Sequence, residues 1–147
     1  MSTIYLFLDI DGVLNRQSDW RKGYTIRDEC LEKLISLLRD ISNDSSVAVV
    51  FTSTWGRMLE SWWKESGLAR LEDVPNLVVK GSVYQPKGKT REDAVRYYLK
   101  RHNVGHHLIL DDDRSLFPDT HGLNIVFTDS DKGLTEMDCQ RLLAMRR

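Results

Sequence analysis

Two clusters of acids stand at the ends of apolar runs. Leu6-Phe7-Leu8 leads into Asp9-Ile10-Asp11-Gly12, and Leu108-Ile109-Leu110 leads into Asp111-Asp112-Asp113. Carboxylates are costly to bury unpaired, so a chain that ends two apolar segments in acids has a use for them. A third apolar run, Val47-Ala48-Val49-Val50-Phe51, ends in Thr52-Ser53-Thr54, and Pro86-Lys87-Gly88-Lys89-Thr90 precedes a helical pattern. Collected on one rim, the acids would raise one another's pKa unless something positive sat among them. A hard cation is the economical answer, and Mg2+ takes carboxylates while keeping positions for water and a substrate phosphate. One carboxylate can then act as nucleophile and a second can protonate the leaving oxygen. Hydroxyl, backbone N–H and lysine donors can hold the equatorial phosphoryl oxygens. The chemistry implied is phosphoryl transfer.

Each piece has a plainer reading. Asp11-Gly12 is an ordinary turn dipeptide, and Thr52, Ser53 and Thr54 are ordinary helix caps. Asp113 suits a cap for the short segment beginning at Arg114, and it is left out of the site. Gly88-Lys89-Thr90 suggests a nucleotide-binding P-loop, but the required first glycine falls on Val83. A receiver domain uses similar groups in another order, with its lysine after the Thr/Ser strand. What favours function is the match of acids in both type and position at two strand ends.

The elements that must position these groups alternate. Residues 3–9, 47–52, 77–80, 107–111 and 124–127 read as strands, continuous in apolar character as expected for a parallel sheet covered on both faces. Residues 27–41, 56–66, 90–102 and 135–145 carry apolar residues at helical spacing, with Thr135 as an N-cap. The pattern is that of a doubly wound α/β sheet, whose ligands bind beyond the carboxyl ends of the strands.

The order Asp-x-Asp-Gly, strand-terminal Thr/Ser, Lys, then an acid pair resembles the haloacid dehalogenase-like (HAD) superfamily of phosphohydrolases over nearly the whole chain. "DIDGVLN", "VVFTSTW" and Gly133-Leu134-Thr135 look more closely like the small HAD domains of Swiss Army Knife RNA repair proteins. The resemblance implies a five-stranded sheet in the order 5-4-1-2-3 and a phosphatase acting through an aspartyl-phosphate. It implies Asp9 as nucleophile, Asp11 as general acid/base, and Thr52, Ser53 and Lys89 on the phosphate. Asp9, Asp11, Asp111 and Asp112 would hold Mg2+. Lys87 competes with Lys89, which is preferred because it opens the helix. Gly56 stands between Trp55 and Arg57, where many relatives have Arg directly after the Trp.

Only about thirty residues separate Asp11 from the second strand, too few for an independent cap domain. The rim should be open, closed only by the 15–26 loop, where Arg16, Trp20, Arg21 and Tyr24 supply charge and stacking surface for a nucleotide or a phosphorylated nucleic-acid end. Trp55, Trp62 and Trp63 read as core. A small-molecule phosphatase and an idle HAD-fold binding module are the alternatives.

The composition sets outer limits. The 147 residues suit one domain, and a net charge of −1 argues against a large basic face. Cys30 and Cys139 lack metal-type spacing and suggest a reducing cytoplasm with no disulfide-linked partner. His102, His106 and His107 have no zinc-like partners. No apolar run approaches the ~20 residues of a membrane span.

Overall fold

The computed structural model describes residues 2–23, 25–56, 58–83 and 85–146. Five parallel strands form one sheet: β1 (Thr3–Leu8), β2 (Ser46–Phe51), β3 (Leu77–Ser82), β4 (His107–Asp111) and β5 (Ile125–Phe127), in the spatial order β3-β2-β1-β4-β5. This is the expected order read from the other edge. The helices are α1 (Asp28–Ser42), α2 (Met58–Ser61), α3 (Arg91–Arg101) and α4 (Glu136–Met145).

Strand alternation sends apolar side chains to both faces. Ile4, Leu6 and Leu8 of β1 join Val49, Phe51 and Leu110 in the larger core, which α1 and α4 cover with Leu31, Leu34, Leu38 and Leu142. Phe7, Val50 and Ile109 face the other way, onto Val95 of α3 and Phe117. α1 forms because Leu31, Leu34, Ile35, Leu38 and Ile41 fall on one stripe, all buried. Thr90 and Thr135 each cap a helix through reciprocal bonds with Asp93 and Asp138 three residues on. Among the described residues there is no inserted cap domain, and no helix is long and apolar enough to cross a membrane.

Two expectations need correction. The helix read over 56–66 shrinks to the four residues of α2, followed by turns. Gly56 and Gly67 take positive φ and bound a stretch too short to hold a helix by propensity. Trp63 turns its ring edge onto Phe51 and donates to Glu72, Trp62 stays 40% exposed, and Ser66 diverts backbone groups to its hydroxyl. The second correction concerns β3, whose residues are not covered on both faces. It is an edge strand, and Val78 is 54% exposed. A register shift opposite Val49 and Val50 bends it further from regular pairing.

The register of the central strands does the positioning. Leu8 lies opposite Phe51 on one side and Leu110 on the other. The next residue of each strand is therefore Asp9, Thr52 and Asp111, side by side on one rim. The Thr52 amide donates to the Leu8 carbonyl at 2.9 Å, and the Asp9 amide donates to the Leu110 carbonyl at 3.0 Å.

Candidate active site

Asp9 and Asp111 are almost wholly buried, and Asp112 is half-buried beside them. One carboxylate oxygen from each of the three lies within 4.8 Å of the others. Gly12 makes this approach possible. It adopts φ +81°, and a Cβ there would collide with the Asp112 carboxylate. Thr128, just past β5, donates to the Gly12 carbonyl at 2.7 Å and holds that turn against the sheet.

Among the described residues, the cation in this cluster is Arg91. Its guanidinium donates to Asp111 at 2.8 Å and stands 3.2 Å from Asp9, with the side chain 5% exposed. Burial first, then the charge of Asp111, push the Asp9 carboxyl up to about 9 against the opposing pull of Arg91. Asp112 is raised too, by burial foremost. Arg91 therefore leaves negative charge uncompensated when all three acids ionise. That deficit and the all-oxygen donor set fit a hard divalent cation such as Mg2+, which Asp9, Asp111 and Asp112 could hold.

Lys89 lies elsewhere. The α3 helix begins only after the Thr90 cap, so Lys89 sits at the end of the turn before it, its amide donating to the Pro86 carbonyl, exposed and lining a surface cleft with Pro86, Asp93 and Tyr97. Arg91 occupies the first helical position, on the face shared with Ala94 and Val95. That i, i+3, i+4 spacing was the signal that could have found it.

Asp11 is brought to the rim but is not among the converging carboxylates. Its Oδ1 accepts from Asn15 Nδ2 at 2.9 Å and from the Trp55 indole at 3.1 Å. Asn15 is buried and fully used: it also donates to the Thr25 carbonyl and accepts from the Gly12 amide and the Trp20 indole. Asn15 and Trp55 both belong to this site, and the sequence reading had assigned neither of them to it.

Two buried side-chain atoms find no hydrogen-bond partner among the described residues: Thr52 Oγ1 and Arg91 Nε. Thr52 is the neighbour of Asp9 on the rim, and the Arg91 guanidinium stands against Asp9 through another of its nitrogens. An unpaired buried polar atom is expensive, so a pair of them beside one carboxylate is a feature to explain. Ser53 is buried next to Thr52 and accepts from the Trp55 amide. Asp113 accepts from the Ser115 amide and caps the short 3-10 turn Arg114–Leu116, as its position suggested.

The loop over the rim is built on Asp19. This buried carboxylate accepts from the Arg16 amide and from Arg27 at 3.1 and 2.9 Å. It closes the 3-10 turn Gln17–Lys22, from which Trp20 projects 41% exposed and Arg21 lies exposed. The Arg16 guanidinium is engaged with Glu29 and the Lys132 carbonyl. Tyr24, expected in the same loop, lies outside the described residues. Gly133, at φ +69°, lets the 129–134 turn press against the Asn15 and Val13 carbonyls and the Cys30 thiol, buttressing the loop from behind. Cys30 and Cys139 are free and buried, and burial raises both thiols.

Residues 5–139 match the family described as the HAD domain in Swiss Army Knife RNA repair proteins. No curated protein matches the chain.

Proposed function

Since the chain belongs to the HAD domains of Swiss Army Knife RNA repair proteins, we propose that it is a Mg2+-dependent phosphatase acting through an aspartyl-phosphate, on a nucleotide or a phosphorylated nucleic-acid end. The observation that carries the reading is that two buried donors without a partner among the described residues, Thr52 Oγ1 and Arg91 Nε, belong to the rim neighbour of Asp9 and to its ion-pair partner. A phosphoryl group at Asp9 would bring acceptor oxygens to the side of these two residues.

Asp9 is the nucleophile and takes the phosphoryl group as the ester oxygen leaves. Asp11 gives that oxygen its proton, held in orientation by Asn15 and Trp55. It then takes a proton from the water that hydrolyses the acyl-phosphate. Thr52 and Arg91 hold equatorial oxygens as charge moves onto them, a role the sequence had given to Lys89. Asp9, Asp111 and Asp112 would hold the cation, which would supply neutralisation of the charge that the acids and the phosphate bring together.

The test is release of phosphate from a panel of mononucleotides, phosphorylated oligonucleotides and sugar phosphates. Activity should vanish in excess EDTA and return with Mg2+. Asp111→Ala should raise the Mg2+ requirement far more than Asp113→Ala, which only uncaps a turn. Turnover unchanged by EDTA would refute the metal assignment.

A further inference from the structure

A cleft of about 240 Å³ opens beside Asp11, lined among the described residues by Asp11, Trp20, Gly23 and Trp55. Resting on the phosphatase reading, we propose that this cleft receives the terminal nucleoside of the leaving group by stacking on the Trp20 indole, without distinguishing which base it carries.

Its location follows from Asp11. The group that protonates the leaving oxygen must touch it, so the remainder of the substrate emerges along the wall that contains Asp11. Its size is below the roughly 300–1,000 Å³ of clefts that enclose drug-sized ligands, which suits a single ring system.

Its chemistry follows from where the polar atoms point. An indole has one N–H and no acceptor. The Trp20 N–H is committed to Asn15 at 2.9 Å and the Trp55 N–H to Asp11 at 3.1 Å. The Asn15 amide is itself used on both ends, by the Gly12 amide, Asp11 and the Thr25 carbonyl. Among the described side chains around the cleft, Trp20 therefore offers ring surface, both indole N–H groups are taken, and the second oxygen of Asp11 is assigned to the leaving oxygen. Discrimination among bases requires donors and acceptors on their edges, whereas stacking accepts any base because each has a π-face. Trp20 is also prepared for this use. Its ring is 41% exposed, yet its N–H bond and the Asp19-centred turn fix it in place, so little freedom is lost on binding.

The experiment is calorimetric titration of the Asp9→Asn protein, in Mg2+, with the 3′- and 5′-monophosphates of all four nucleosides and with glycerol 2-phosphate, alongside wild-type turnover of the same esters. The expected result is that the nucleotides bind within about threefold of one another and roughly ten- to hundredfold more tightly than glycerol 2-phosphate. Trp20→Ala in that background should remove most of the difference, Trp20→Phe should retain much of it, and Tyr97→Ala, on the exposed face of α3, should retain all of it. Overturning results are nucleotides bound no more tightly than glycerol 2-phosphate, one base preferred more than tenfold, or equal losses for both ligand types in Trp20→Ala. Failure of the wild-type protein to hydrolyse any ester would refute the phosphatase reading and this assignment with it. Equal turnover of nucleotides and glycerol 2-phosphate would keep the phosphatase and overturn the stacking site alone.

Discussion

On the floor of the site, Asp9 and Asp111 directly follow strand residues that are fully enclosed, and their positions are set by the ladder of the sheet. On the wall, Trp20 and Asp11 are placed by side-chain hydrogen bonds to Asn15, within a loop tied down by Asp19 and Arg27. The floor is rigid because three parallel strands would have to move together to displace it. The wall depends on a few polar contacts, one of them a charged pair open to solvent on its Arg27 side. Reaction chemistry needs its groups held to within fractions of an ångström, and the sheet provides that. Selection of the leaving group tolerates a looser frame.

This contrast breaks most severely at Asp9. Asp9→Asn keeps the shape of the floor and removes the proposed nucleophile, so kcat should fall on the order of 10⁴-fold or more with little change in Tm. Substantial turnover by this variant would mean the floor does not act covalently.

Arg91→Ala comes next. It leaves Asp9 and Asp111 buried without their partner, a type of change that costs about 3–5 kcal/mol of stability. Denaturant unfolding should show the loss, and Mg2+ should restore part of it by neutralising the same acids. Arg91→Lys should retain more stability than Arg91→Ala. Equal stability of the wild-type and Ala proteins would show that the floor is not held by this pair.

The smallest effect lies on the wall and is sharpened by pH. Hydrogen bonds from Arg27 and the Arg16 amide hold Asp19 below the usual carboxylate range. A depressed carboxyl stabilises the folded loop above the pKa of the unfolded chain, and that contribution is lost as pH falls through the lower folded value. The Trp20 indole N–H resonance should therefore keep its folded position on acidification past the ordinary Asp range and shift only below it. In Asp19→Asn it should be displaced already at neutral pH. A Trp20 signal indifferent to both changes would separate the loop from its supposed anchor.

The same contrast explains what the sequence made legible. The strands of the floor and their terminal acids could be read because continuous apolar runs ended in polar residues, and the order of the sheet followed from the family pattern. Arg91 was missed because Lys89 had the expected residue type, while the Thr90 cap decided which cation lay inside the helix. The tie between Trp55 and Asp11 joins distant parts of the chain, and no local spacing announces it. The 56–66 segment misled for another reason. Its apolar residues had helical spacing, but Trp62 and Trp63 point to different environments between two glycines of positive φ.

The central claim is that Asp9 carries the phosphoryl group. Rapid acid quenching during turnover, followed by mass spectrometry of the protein, tests it most directly. The account predicts a phosphoryl adduct on Asp9 that accumulates further in Asp11→Asn, whose water attack lacks its base. Steady turnover with no adduct on Asp9 in either protein, or an adduct on another residue, would contradict it.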